Sequence, residues 1–172
     1  GIPVLSEESA KVDYEKRAGW KRFWLVDPLD GTKEFINRNG EFTVNIALID
    51  SHRPVLGVVY VPVTRVTYLG QRGRGAWKEQ AGKRAPISVR AYKGGRATVV
   101  ASRSHRGEAV DRFLARLESR EGGYDTASLG SSLKLCMVAE GSADIYPRLG
   151  PTSEWDTAAA QCVVETAGGA VI

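Results

Sequence analysis

Two aspartates set the chemistry of this chain: Asp27 and Asp30, three residues apart in the run Asp27-Pro28-Leu29-Asp30-Gly31-Thr32. Across a proline-containing loop both carboxylates can reach the same side, and such a pair binds hard cations. Mg²⁺ takes oxygen ligands in near-octahedral geometry and keeps waters and phosphate oxygens in its shell, so a loop carbonyl such as that of Leu29 suits the remaining place. A bare Asp-x-x-Asp is more often a solvated turn. Gly31-Thr32 adds a second signal, because helix N-terminal amides and a threonine hydroxyl make a phosphate cradle, although Thr32 also reads as an ordinary N-cap. Taken alone, Asp156 is explained by a carboxylate's preference for a helix N-terminus, and Glu7-Glu8 by solvation of an acidic pair.

The elements that must position these residues follow from periodicity. Phe23 to Val26 is a short apolar run, read as a buried strand that feeds the acidic turn. Val4 and Leu5 look like part of another strand. Phe42, Val44, Ile46 and Leu48 alternate through Glu41 to Ile49, and Val55 to Val61, Val66 to Leu69, Gly75 to Lys78 and Pro86 to Val89 follow as strands between turns. Residues 41 to 90 therefore read as an antiparallel meander. Thr98 to Ala101 is a further strand, and Val110, Phe113, Leu114 and Leu117 give the apolar stripe of a helix. Ser131 to Glu140 reads as a second helix, Ala143 to Tyr146 as a strand, and Trp155 to Ala167 as a third helix stopped by Gly168-Gly169. The expected class is α+β, divided at a hinge near Tyr92 to Arg96 into residues 1–93, which carry the acidic turn, and residues 94–172, an α/β part.

The 172 residues are 42% hydrophobic and 26% charged, which excludes a disordered chain and a short disulfide scaffold. A net charge of +4 suits an anionic ligand without implying nucleic acid. Cys136 and Cys162 lie in apolar helical patterns with no C-x-x-C spacing and read as reduced core thiols. No apolar run approaches the roughly 18 residues of a membrane span, and no charged-then-apolar leader is visible, which points to the cytoplasm.

Ser6-Glu7-Glu8, then Trp24 through Thr32, then Trp155-Asp156-x-Ala158-Ala159, in this order and spacing, resemble the signature of the inositol monophosphatase superfamily over essentially the whole chain. The resemblance implies a layered αβαβα sugar-phosphatase-like fold. It implies that Glu7, Asp27, the Leu29 carbonyl, Asp30 and Asp156 ligate two or three Mg²⁺ ions, with Gly31 and Thr32 on the scissile phosphate. Glu7, Asp27, Asp30 and Thr32 would form the catalytic group: one metal activates a water and another stabilises the leaving alkoxide.

Lys33-Glu34-Phe35-Ile36, Ser102-Arg103-Ser104-His105, Gly130-Ser131-Ser132-Leu133-Lys134 and Tyr146-Pro147-Arg148 resemble the bisphosphate nucleotidase branch, where an inositol phosphatase has an acidic residue near the place of Arg148. Lys134 and Arg148 would then meet a second phosphate, and His105 and Ser131 would line the nucleotide site, beside Asp30, Gly31, Thr32 and Asp156. Singly, His105 and Ser131 also read as helix caps and Arg148 as half of a surface ion pair. The implied reaction removes the 3′-phosphate of 3′-phosphoadenosine 5′-phosphate, and also of its sulfated relative, in sulfate assimilation. The partner is a small bisphosphorylated nucleotide, not DNA. A homodimer and a peripheral place at the inner membrane face stay open.

Two rivals remain: an inositol or sugar phosphatase, and a non-catalytic nucleotide- or RNA-binding module, for which aromatics are not interleaved with the basic residues as stacking requires. Members of the superfamily carry a helical segment ahead of the Glu7 region, with an acidic residue and a threonine that activate the attacking water, and further strands after the Trp155 helix. The expectation is a chain truncated at both ends that keeps its metal ligands and lacks that pair.

Overall fold

The computed structural model describes residues 1–9, 11–101 and 107–172. Seven strands form one sheet in sequence order: β1 (Val4–Ser6), β2 (Arg22–Asp30), β3 (Thr43–Asp50), β4 (Arg53–Val61), β5 (Val66–Gln71), β6 (Gly75–Gln80) and β7 (Lys83–Ile87). β1 runs parallel to β2, and every other neighbouring pair is antiparallel, the meander expected of residues 41 to 90. Two short helices, α1 (Tyr14–Arg17) and α2 (Thr32–Ile36), flank β2 and bury no residue. Pro86 sits in β7 at the sheet's end, where its missing N–H costs no ladder bond inside the sheet.

A second, two-stranded sheet pairs β8 (Ala97–Ala101) with β9 (Tyr124–Ser128) in parallel, joined through α3 (Glu108–Glu121). Val110 and Leu114 of α3 pack on Val99, with Phe113 and Leu117 beside them, the stripe that the spacing predicts. α4 (Leu133–Ala139) and α5 (Glu154–Thr166) lie between the two sheets. One apolar cluster runs from Leu5 in β1 to Ala167 after α5, so α5 shares its core with the meander. Cys136 and Cys162 are buried, free thiols.

α5 approaches the sheet closely because both surfaces are made of small residues. A Cβ on Gly57 would stand 2.2 Å from the Ala159 carbonyl oxygen, and one on Gly70 2.7 Å from Val163 Cα. On the helix side Ala158, Ala159 and Ala160 are buried. This contact decides which side of β3 is innermost. The apolar register Phe42, Val44, Ile46, Leu48 is only half-buried, whereas Thr43, Asn45, Ala47 and Ile49 are buried beneath α5. The alternation is present, but the tighter face carries two polar residues.

Three further details differ from the sequence reading. β2 continues through Asp30 instead of ending at a turn, with a register shift between Asp27 and Asp30. Ala143 to Tyr146 is not a strand: only an isolated bridge from Ile145 to Val99 remains, because the Asp144 carboxylate takes the Thr98 amide at 2.7 Å. β9 is polar and half-exposed, so its sequence has no strand alternation to detect.

Candidate metal and phosphate site

The register shift explains how residues three apart come to share a face. Asp27 pairs with Asn45 and Asp30 with Thr43, so three steps on β2 match two on β3. Pro28 cannot donate to the ladder, and the extra residue forms a bulge. Thr43 and Asn45 point to the α5 side, and residues directly opposite one another in an antiparallel pair project to the same side. Asp27 and Asp30 therefore both face the helical layer.

Two other elements bring carboxylates to Asp27. β1 lies parallel to β2 with Ser6 opposite Val26, and the next amide, Glu7 N–H, donates to the Val26 carbonyl at 3.2 Å. At the start of α5, Ser153 and Asp156 form a reciprocal capping box. Asp156 Oδ2 accepts from the Ser153 amide at 3.0 Å and from Thr152 Oγ1 at 2.7 Å. Glu7, Asp27 and Asp156 each offer an oxygen, and these lie within 4.8 Å of one another. Asp156 thus does both things that the sequence allowed, stabilising its helix and joining the acidic group.

Asp27 is only 1% exposed. Its carboxyl is pushed up to about 7, first by burial and then by the charges of Asp30 and Glu7, against the Leu29 amide that donates to Oδ1 at 2.9 Å. A buried carboxylate crowded by two like charges is the environment a divalent cation relieves. The all-oxygen donor set fits a hard ion such as Mg²⁺.

Asp30 stands beside this group and is held differently. Its Oδ2 receives the Ser132 amide at 2.6 Å and the Ser132 hydroxyl at 2.7 Å, with Asn45 Nδ2 at 3.2 Å and Thr43 Oγ1 at 3.3 Å. Sequence reasoning missed Thr43, Asn45 and Ser132. Two polar residues at alternate positions of an otherwise apolar strand were the available signal, since buried polar groups persist where they have partners.

Gly31 adopts φ 92°, ψ 50° immediately before α2, a left-handed conformation that glycine accepts without strain. A Cβ there would meet Ser131 Cβ and Glu34 Oε2 at 3.2 Å, so the Gly31-Thr32 corner abuts the Gly130-Ser131 loop. Glu41 secures that loop by accepting the Gly130 amide at 2.8 Å. Ser131 does not cap α4. It has φ 45°, the N-cap position falls on Ser132, and Ser131 Oγ is buried with no partner among the described residues.

A cleft of about 610 Å³ opens from this loop. Asp30, Ser131, Lys134, Tyr146, Arg148 and Asp156 are among its polar lining, and Phe113, Val138 and Ile145 contribute apolar surface. Lys134 is buried, donates to the Ser131 carbonyl at 2.7 Å and sits 5.4 Å from the centre of the Tyr146 ring. Burial pushes its amine below the ordinary lysine range, assisted by the Arg148 charge and opposed by Asp30, Glu34 and Glu41. Arg148 donates to the Pro151 carbonyl at 2.9 Å and pairs with no carboxylate among the described residues. His105 lies outside the described residues.

The model of the inositol monophosphatase family matches residues 1–172. The chain belongs to that family. It is 55% identical over 170 residues to the 3′(2′),5′-bisphosphate nucleotidase CysQ of Salmonella typhimurium and to that of Escherichia coli K12. Each alignment takes in 99% of this chain and 66% of the relative. Among solved structures, CysQ from Bacteroides thetaiotaomicron superposes with a TM-score of 0.90 at 46% identity, over 97% of this chain and 66% of that one. Mycobacterium tuberculosis SuhB follows the same fold with a TM-score of 0.79 at 26% identity, over 98% of this chain and 65% of that one. The chain therefore spans just under two thirds of the length of these proteins. The mixed sheet-and-helix architecture that the resemblance implies is the one observed. No helix among the described residues is long and apolar enough to cross a membrane.

Proposed function

We propose that this chain carries the metal- and phosphate-binding core of a Mg²⁺-dependent phosphomonoesterase that removes the 3′-phosphate of 3′-phosphoadenosine 5′-phosphate, and of its sulfated relative, in sulfate assimilation. The observation that supports this most is the convergence of Glu7, Asp27 and Asp156 beside a cleft that Lys134 and Arg148 also line. Similarity to bisphosphate nucleotidases at 55% identity supports the choice of substrate.

Glu7, Asp27 and Asp156, joined by Asp30 and the Leu29 carbonyl, would hold two or three Mg²⁺ ions. Bound there, the metal neutralises phosphate charge and lowers the pKa of a water. The protein's own part is positional. Gly31 and Thr32 offer amides and a hydroxyl to the scissile phosphate. Lys134 and Arg148 take the second phosphate through charge-assisted hydrogen bonds, which an acidic residue at position 148 could not. The Ser131 hydroxyl, buried without a partner among the described residues, gains one from the ligand. The apolar lining suits a base better than a sugar, and His105 is assigned to the same nucleotide site. Residues 1–93 supply the metal side and residues 94–172 the nucleotide side of an enzyme placed in the cytoplasm.

Calorimetric titration with adenosine 3′,5′-bisphosphate and with inositol 1-phosphate, each with Mg²⁺ and with EDTA, tests this reading. The expected result is Mg²⁺-dependent binding that favours the bisphosphate. Preference for inositol phosphate would move the assignment to a sugar phosphatase, and binding indifferent to EDTA would favour a non-catalytic nucleotide-binding module.

A further inference from the structure

Ser132 occupies the N-cap position of α4, yet its hydroxyl makes no capping bond. A serine there ordinarily stabilises its own helix by accepting an amide of the first turn. Here the hydroxyl is turned away from the helix, 2.7 Å from Asp30 Oδ2 on β2 and 2.8 Å from the carbonyl of Asp156 on α5. It accepts Asn45 Nδ2 of β3 at 2.9 Å. The Ser132 amide adds a second bond to the same Asp30 oxygen, at 2.6 Å. Four elements meet at one side chain that is 3% exposed.

We propose that Ser132 is a positioning residue for the metal-binding carboxylates: it commits Asp30 Oδ2 to the protein, leaves Oδ1 for the cation, and ties Asp30 to the backbone of Asp156. This rests on the metal-binding reading above. A hydroxyl has one proton, and the charged acceptor makes the stronger bond, so the proton goes to Asp30 and the Asp156 carbonyl is the lesser acceptor. All the hydrogen bonds of the Asp30 carboxylate among the described residues fall on Oδ2. Asn45 is oriented by the same arrangement, with both Nδ2 contacts directed at Asp30 and Ser132 and with Oδ1 buried and unpaired. The opposite amide orientation would set a carbonyl oxygen against a carboxylate. Because Ser131 precedes Ser132 in the chain and Lys134 stands in the first turn of α4 directly after it, metal and nucleotide sites share one support.

The test is the thermal unfolding midpoint of the 172-residue chain measured against Mg²⁺ concentration, without nucleotide, for the parent, Ser132→Ala and Ser132→Cys. Outer-shell partners of metal ligands contribute about 10- to 100-fold to affinity. Ser132→Ala should therefore raise the Mg²⁺ concentration for half-maximal stabilisation at least about tenfold. Ser132→Cys, which keeps the branching with a slightly larger atom and a weaker donor, should fall between the two and decides the matter should the alanine variant not fold. A purely structural serine would lower the midpoint equally in EDTA and in Mg²⁺ and leave the half-maximal concentration within about twofold of the parent, below the outer-shell range. That result overturns the proposal alone. A parent with no Mg²⁺-linked stabilisation overturns the metal reading and the proposal with it.

Discussion

Asp27→Asn should make the metal-free protein more stable and the metal-bound protein less so. Asp27 is 1% exposed, and its carboxyl is pushed up to about 7 by burial and by the neighbouring charges of Asp30 and Glu7. In the unfolded chain it titrates near 3.9. A carboxyl whose folded pKa is raised favours the native state only while protonated, so stability is present below about pH 4 and is lost as pH rises toward 7. Each pH unit across that window is worth about 1.4 kcal/mol, an upper bound of about 4 kcal/mol; local relaxation and counter-ions reduce this to about 2 kcal/mol.

Asparagine keeps the shape and the acceptor for the Leu29 amide, and it removes the charge. At pH 8 in EDTA the variant should gain about 2 kcal/mol, or about 4 to 8 °C for a chain of this size. At pH 5, about one unit above the unfolded value, the variant's gain should be clearly smaller than at pH 8, and it should vanish only below about pH 4. Saturating Mg²⁺ stabilises the parent by mass action, about 2.7 kcal/mol at a hundred times Kd, whereas the variant lacks a central ligand and gains little. The order of stability should therefore reverse between EDTA and Mg²⁺. Scanning calorimetry at both pH values reads all four conditions. Loss of stability in EDTA at pH 8, or equal stabilisation of both proteins by Mg²⁺, would refute the argument.

Three other substitutions probe separate parts of the structure. Gly57→Ala places a methyl 2.2 Å from the backbone oxygen of Ala159, which cannot rotate away, and should cost about 3 kcal/mol in chemical denaturation. Lys134→Met should weaken adenosine 3′,5′-bisphosphate about 10- to 100-fold in calorimetric titration while leaving adenosine 3′-monophosphate, which lacks the second phosphate, nearly unchanged, because one charge-assisted bond of about 1.5 to 3 kcal/mol is lost. The Arg90 guanidinium, hydrogen-bonded to Asp144, holds that carboxyl below its ordinary range. Its stabilisation is present above the unfolded value and is lost as pH falls through the folded one. Arg90→Ala should therefore shift acid unfolding, followed by circular dichroism, to higher pH.

The acidic run, the Trp155-Asp156 pair and the Gly130 to Lys134 segment were legible in sequence because residue type and spacing alone carry the resemblance to the family. The antiparallel meander and α3 were legible from periodicity. β9 was not, since a polar strand held by pairing and an overlying helix needs no alternation of its own. Ala143 to Tyr146 misled in the other direction: its composition suits a strand, but the Asp144 side chain occupies the amide that a ladder would use.

By itself the sequence determined which side chains are available: four acidic residues, a glycine corner and two cations of the right type in the right order. Only the tertiary structure decided how they share the work. The bulge after Asp27 turned a three-residue spacing into a common face, and the approach of α5 over Gly57 and Gly70 made the polar side of β3 the inner one. Packing also gave Asp30 to Ser132, 102 residues away in the chain, while Asp27 joined Glu7 and Asp156. Spacing records what is near along the chain. Burial, charge repulsion and hydrogen-bond competition act between groups near in space, and folding sets those distances.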